Sequence, residues 1–474
     1  MDRREYLAAV GTVGVGALAG CSGTDSPGET GDSADNETDG SADTQPDQPT
    51  DGQPRGSDPA ALRRRARAFV ELLLDGSFDA AYERVSESFA ESVPQQTLRQ
   101  QWSQTVDPLG SFEGFASTTY RGSRRGLEIV ELAGEFADGG LTFQVQFGDE
   151  AIGGFRFTPG VWSPPEYVDQ SAFSEELLAM QATGDCEISA TLTLPEGSGS
   201  VPGVVLVHGS GDQGRDQRAG PNRTFKELAW GLATRGIAVL RYDQRTVACE
   251  VDRTEATVDD LITDDALTAI ERLAARERVD SVFVVGHSLG GRLAPRIAAR
   301  SERVAGVVMI APLAEPIHEA IVRQTEYQLD LAENLTETQR ERRLSGVEAL
   351  AERIRTLSIG EDETINLGGG ARGRPFFRTL QEYDHLSTAA ELSVPRLILQ
   401  GERDFLVTVE DDLMLWENAL AGESTVEIIR YENLNHRLQP GEGMSTPSEW
   451  TQPTPVAETV VNDIAGFVTA NQSG

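Results

Sequence analysis

Residues Val282–Ala299 read VFVVGHSLGGRLAPRIAA. Four apolar residues lead into Gly-x-Ser-x-Gly, and a run with helical spacing follows. That order predicts a strand turning abruptly into a helix. Side chains two positions either side of the turning residue would collide across it, so Gly286 and Gly290 fit where a Cβ would not. Ser288 would then stand at the C-terminal edge of a sheet, with the positive end of the next helix behind it. A serine displayed this way is a candidate nucleophile, and it needs a base, an acid and an oxyanion site.

The sequence holds five histidines. His287 adjoins the serine, and its ring cannot curl back to reach it. His208 ends a strand in VLVHGSGDQG, and His318 and His385 fall in or beside an inserted segment. His436, in IIRYENLNHRL, follows the last strand, where a loop can swing an imidazole onto Ser288. The acid that fixes the imidazole tautomer is Asp404 in LILQGERDFLV, with Glu402 as a neighbouring alternative. Ser288, Asp404, His436 is also the chain order expected around a nucleophile on such a turn. The Leu289 amide is one donor for the negative oxygen of a tetrahedral intermediate. The loop at Gly209 and Ser210 offers the second, through the Ser210 amide. GSGDQG at Gly209–Gly214 spells a dinucleotide fingerprint, but RDQRAGPN follows where a helix must begin, so no nucleotide is expected. There is no His-Glu-x-x-His and no cysteine cluster; neither a metal nor another cofactor is expected.

Outward from this centre, residues 166–474 alternate strand and helix patterns. GVVLVHG, IAVLRYD, SVFVVGHS, VAGVVMIAP, PRLILQG and TVEIIRY are separated by helical stretches such as FKELAWGLATRG. Strands apolar on both faces predict a mostly parallel sheet covered by helices, an α/β fold. An interruption at about 313–383 carries its own apolar stripe of Leu344, Val347, Leu350, Ile354 and Leu357. It enters on the C-terminal side of the sheet, which makes it a lid, and LGGGARGRP within it reads as a flexible connector. Residues 59–165 form a separate small α+β domain. Helices come first, from DPAALRRRARAFVELLL, and the meander LEIVELAGEFADGGLTFQVQF with IGGFRFTP follows. That order resembles a nuclear-transport-factor-2-like cone. The domain shows no convergent titratable cluster, so a spacer or substrate-positioning role is expected of it.

At the N-terminus, MDRREYLAAVGTVGVGALAGCSG sets Arg3 and Arg4 before an apolar run too short and glycine-rich for a membrane span. Residues 1–21 resemble a Tat export signal, and LAGC resembles a lipobox in which Cys21 would carry lipid. The expected location is therefore the outer face of the cytoplasmic membrane, with the lipid at Cys21 as the membrane contact. Residues 22–58 contain no Val, Leu, Ile, Met or aromatic residue and predict a disordered acidic tether. Cys186 and Cys249 remain as an even pair, a disulfide or two buried thiols. Acidic residues number 76 against 41 basic ones, a net charge of −35, and Lys226 is the single lysine. Such a charge repels phosphate backbones and excludes nucleic acid as a partner. With lysine nearly absent, the composition resembles that of proteins from extreme halophiles.

VHGSG, GPNRTFKELAWGLATRGIAVLRYDQRT, GHSLGG, QGERDFLV and NLNH together carry a family resemblance. From about residue 173 to 470 the chain resembles the α/β-hydrolase superfamily, near its serine aminopeptidase-like and dienelactone hydrolase-like esterase branch. The resemblance implies an eight-stranded sheet, an inserted cap, and hydrolysis through an acyl-enzyme on Ser288, Asp404 and His436. It also implies a second strand antiparallel beside the fourth, which brings Cys186 near Cys249 as a disulfide. The function expected is that of an exported serine hydrolase acting on small carboxylic esters. A peptidase with the same three residues and a non-catalytic surface binding protein are the alternatives.

Overall fold

The computed structural model describes residues 58–472 except 149–150, 333 and 368. The expected export signal, Cys21 and the tether up to residue 57 lie outside the described residues.

The small domain opens with helix α1 (Pro59–Leu74). The Asp58 carboxylate caps it by accepting the Ala60 amide at 2.9 Å, and Pro59 has a fixed φ that suits a first helical position. Leu62, Ala66, Phe69, Val70 and Leu73, three and four residues apart, form its buried face. With α2 (Gln95–Thr105) they pack on an antiparallel meander of β1 (Phe112–Arg124), β2 (Leu127–Phe136), β3 (Gly139–Phe147) and β4 (Ile152–Pro159).

The second domain is built on β5 (Phe173–Gln181), β6 (Glu187–Pro195), β7 (Val201–Val207), β8 (Ala238–Tyr242), β9 (Val279–His287), β10 (Val304–Ile310), β11 (Arg396–Gly401) and β12 (Val426–Tyr431). Their spatial order is β12-β11-β10-β9-β7-β8-β6-β5. From β12 to β8 neighbours run parallel, while β6 pairs antiparallel with both β8 and β5. Its longer helices are α3 (Thr224–Thr234), α4 (Asp264–Ala274), α5 (Leu289–Ala299), α6 (Ile317–Asp330), α7 (Glu337–Arg355) and α8 (Glu458–Asn471). α3 and α8 cover one face of the sheet, α4 and α5 the other. That two-sided cover is why β7 and β9 carry apolar residues without alternation. This is the α/β-hydrolase fold. The chain passes from β7 to β8 on one side and later returns to β9 on the other. The C-terminal ends of β7 and β9 therefore meet at a topological switch point, where open α/β sheets bind ligands.

Each domain keeps its own apolar core. Charged side chains bridge the two. Arg121 on β1 reaches Glu131 on β2 at 2.8 Å and Asp216 of the second domain at 3.3 Å, and Arg223 reaches Glu131 at 2.7 Å. Arg124, at the end of β1, donates to both oxygens of the fully buried Asp243 at 3.0 and 2.8 Å. Burial pushes the Asp216 and Asp243 carboxyls up, but the surrounding guanidiniums outweigh it and hold both below the ordinary carboxylate value. The small domain thus does take part in a titratable cluster, contrary to the expectation from its sequence. Half of that cluster lies in the other domain, 119 residues away in the case of Arg124 and Asp243.

Cys186 precedes β6 and Cys249 follows a short helix after β8. The antiparallel pairing of these strands brings the two together in a disulfide, with Cα atoms 5.8 Å apart.

Candidate active site

β9 ends at His287 and α5 begins at Leu289, so Ser288 alone makes the turn. It sits at φ 59°, ψ −119°, a left-handed conformation that non-glycine residues rarely hold. The neighbouring glycines permit it. A Cβ on Gly286 would lie 2.2 Å from the Gly290 carbonyl oxygen, and one on Gly290 would lie 2.4 Å from the His208 carbonyl oxygen. The Ser288 amide donates to the Ile310 carbonyl at 2.8 Å, tying the turn to β10. The loop after β7 comes equally close, since a Cβ on Gly209 would stand 3.0 Å from the Ser288 Cβ. Gly209 and Ser210 therefore lie beside Ser288 and the Leu289 amide that opens α5.

His436 follows β12 and is buried, and its Nδ1 donates to Asp404 Oδ2 at 2.7 Å. The other Asp404 oxygen accepts the amides of Leu406 at 2.8 Å and Val407 at 2.9 Å, which fixes the carboxylate. With Nδ1 donating to the acid, Nε2 is the basic nitrogen. Glu402, the alternative acid, points to solvent. Ser288, Leu289, Gly209, Ser210 and His436 line one cavity of about 770 Å³. No hydrogen bond joins Ser288 Oγ to the His436 ring among the described residues. Such contacts commonly tighten only when substrate docks.

Two further residues hold His436, and the sequence did not reveal them. His287 Nε2 donates to the His436 carbonyl at 2.8 Å, so its Nδ1 accepts from Gln217 Nε2 at 2.9 Å. Burial, together with the neighbouring His436, keeps the His287 imidazole well below its usual pKa, in the neutral form that this pattern needs. Its adjacency to the serine was visible in the sequence, but its partners come from two distant loops.

The loop after β7 is held from the end of β8. His208 Nε2 donates to the Tyr242 carbonyl at 2.6 Å, the Gln213 amide to Gln244 Oε1 at 2.7 Å, and the Arg215 amide to Asp243 Oδ1 at 2.8 Å. Arg124 from the small domain clamps that same Asp243. It also explains the third glycine of GSGDQG. A Cβ on Gly214 would lie 2.5 Å from the Arg124 Nη2 atom, so the glycine makes room for an arginine of the other domain.

The inserted segment forms the cavity's opposite wall. Ile317, Ile321 and Gln324 of α6 and Val347 and Leu350 of α7 line it, while Ile354 is buried beneath. LGGGARGRP is not a loose connector. The Gly369 carbonyl accepts the Asp212 amide at 2.6 Å, and a Cβ on Gly369 would lie 2.8 Å from the Gly211 Cα. Its glycines allow two backbones to touch beside the loop after β7. Of the remaining histidines, His318 lies 3.7 Å from Glu319 on α6 and His385 packs on Trp416. Neither lines the cavity.

Residues 202–442, just over half of the chain, match the family described as serine aminopeptidase, S33. The chain belongs to that family. Residues 66–155 match DUF3887, a family of unknown function. Esterase EstD of Thermotoga maritima is 35% identical over 414 residues, spanning 86% of this chain and 95% of EstD. The shared sequence thus includes the small domain as well as the hydrolase domain. Among solved structures, the esterase Pf2001 of Pyrococcus furiosus is similar at 16% identity and a TM-score of 0.40, over 66% of this chain and 98% of its own. Est1E of Butyrivibrio proteoclasticus with ferulic acid bound is similar at 14% identity and a TM-score of 0.43, over 62% of this chain and 98% of its own.

Within this S33 chain the cavity wall carries, among the described residues, one carboxylate, Asp212, and three guanidiniums, Arg218, Arg372 and Arg437. Asp212 is engaged by Arg253 at 2.6 Å and by Arg372 at 3.2 Å. No group of three or more His, Cys, Asp and Glu side chains suited to a metal occurs among the described residues.

Proposed function

We propose that this hydrolase cleaves carboxylic esters through an acyl-enzyme on Ser288. The observation that carries the reading is the 2.7 Å hydrogen bond from His436 to Asp404, facing the same cavity as a serine held at φ 59°. His436 Nε2 takes the Ser288 proton as Oγ attacks the ester carbonyl. The negative oxygen then receives the Leu289 and Ser210 amides, and His436 returns the proton to the departing alkoxide. Water, deprotonated by the same nitrogen, releases the acid and restores the serine. The identity to EstD supports esters as the substrate class. An aminopeptidase would need a free acid for the substrate's ammonium group, and the one carboxylate on the cavity wall is already bound by two arginines.

The same reading has the enzyme exported through a Tat signal and anchored by lipid on Cys21, with a halophile's acidic exterior and a cone-like small domain. It is supported by the Arg3-Arg4 pair, LAGC and the charge of −35. The enzymatic test is a p-nitrophenyl ester chain-length series on wild type and Ser288→Ala, with fluorophosphonate labelling. Expected are covalent labelling at Ser288 and a fall in turnover of about 10⁶-fold in the variant. Equal activity in both proteins refutes the reading. For the anchor, Cys21→Ser should move the protein from the membrane fraction to the medium, and a variant that stays with the membrane rejects lipidation there.

A further inference from the structure

The arginines of the catalytic cavity are not equivalent. Arg372 is paired with Asp212 at 3.2 Å, and Arg218 lies 3.7 Å from Glu131 and donates to the Gly220 carbonyl at 3.0 Å. Arg437 has no carboxylate within 4 Å among the described residues. Its one polar acceptor is the Gln217 carbonyl at a long 3.4 Å, and its Nε is buried without a partner. The guanidinium lies 5.3 Å from the centre of the Trp450 ring, which also lines the cavity and whose Nε1 is likewise buried without a partner. The Nε atoms of Arg223 and Arg292 are also buried without a partner, but these arginines are better engaged through their other nitrogens. Arg223, Arg241 and Arg245 face carboxylates, and Arg292, which lacks one, donates to the Glu315 carbonyl at 2.9 Å.

Arg437 is also held in place. Its amide donates to Asn435 Oδ1 at 2.9 Å, and Leu438 completes the turn at φ 60°. One short turn thus sets His436 on Asp404 and its neighbour's guanidinium on the same cavity wall. Burial, opposed more weakly by the charge of Glu227, lowers Arg437 to about 10, so it is still a cation at neutral pH. A half-buried cation with a poor acceptor is costly to keep, and a ligand anion is the group that completes it.

We propose that Arg437 binds a carboxylate carried by the substrate, so that the preferred substrates are esters with a free carboxylate on the acyl or the alcohol part. This rests on the ester-hydrolase reading above. The chain's net charge of −35 does not oppose it at close range, because salt at 0.1 M screens that field over about 10 Å while the contact lies inside the cavity.

The test compares each anionic ester with a neutral counterpart, in wild type, Arg437→Gln and Ser288→Ala. For the acyl side the pair is 4-nitrophenyl hemiadipate and 4-nitrophenyl hexanoate; for the alcohol side it is 4-acetoxybenzoate and phenyl acetate. The readout is the ratio of kcat/KM, anionic over neutral, within each protein, so a general loss of activity cancels. Wild type should favour the anionic member of at least one pair by about ten- to a hundredfold, the usual worth of a hydrogen bond to a charged group. Arg437→Gln should bring that ratio to near one. A wild-type ratio at or below one in both pairs overturns the proposal, and needs no variant to fold. A preference that survives in Arg437→Gln also overturns it. If no ester of either pair turns over faster than in Ser288→Ala, the ester reading itself has failed.

Discussion

Arg124→Ala tests whether the small domain is part of the catalytic machinery. The side chain leaves β1, crosses to the hydrolase domain and donates twice to Asp243, at 3.0 and 2.8 Å. Removing one partner of a buried ion pair costs about 3–5 kcal/mol when the other charge is left uncompensated. Here Asp243 keeps the Arg215 amide at 2.8 Å and the Arg215 guanidinium at 3.8 Å. The expected loss is therefore near the lower end, about 3 kcal/mol, read as a shifted midpoint in urea. The second effect is local. Asp243 and Gln244 hold Arg215 and Gln213, and so set the path of the loop that carries Ser210. Losing an oxyanion donor costs about 10²–10³ in turnover, and a loosened loop should cost part of that, about tenfold, in kcat rather than in KM. Arg124→Lys keeps the charge but loses the two-pronged geometry, and should restore stability more than turnover. Saturation kinetics on p-nitrophenyl butyrate and urea melts of the three proteins separate the two effects. If Arg124→Ala loses stability but keeps kcat within twofold, the clamp only fastens the domains. If neither quantity moves, the reasoning from this interface is wrong.

Gly286→Ala should abolish esterase activity, because its Cβ would fall 2.2 Å from a backbone oxygen that cannot give way; retained activity would mean that the turn tolerates a different path. Asp404→Asn should lower turnover by about 10⁴, through the wrong His436 tautomer, with the fold intact by circular dichroism. Burial would raise the Glu131 carboxyl from 4.5, but Arg121, Arg223 and Arg218 outweigh it and bring it to about 2. Its folded-state value is depressed, so its stabilisation, on the order of 3 kcal/mol, is complete above pH 4.5 and is lost as pH falls toward 2. Melting temperatures across that range should fall more steeply for wild type than for Glu131→Gln. Replacing Cys186 and Cys249 by serine opens a link across 63 positions and should cost up to about 4 kcal/mol in a denaturant titration run without reductant.

What could be read from the sequence, and what could not, divides along a physical line. The turn at Ser288 was legible because its cause is local: a strand, a helix and two glycines within five residues dictate one backbone path. Asp404 and His436 were legible because each follows a strand, and all parallel strands of one sheet deliver their C-terminal ends to the same edge. The interface was not, because an arginine on a strand has the same appearance whether it meets water or a carboxylate. Nothing in the sequence singles out Arg121 and Arg124, and only folding sets them against Asp216 and Asp243. GSGDQG could be dismissed as a nucleotide site, but the purpose of its glycines stayed hidden for a related reason. Its last glycine answers a contact with Arg124, from 90 residues earlier in the chain, so no pattern confined to the loop explains it. The same logic makes Arg437 informative. A charge that folding matches with an opposite charge has found its reason inside the chain. A charge that folding seats next to His436 in the chain, on the wall of the same cavity and with no carboxylate within 4 Å among the described residues, has its reason in what enters that cavity.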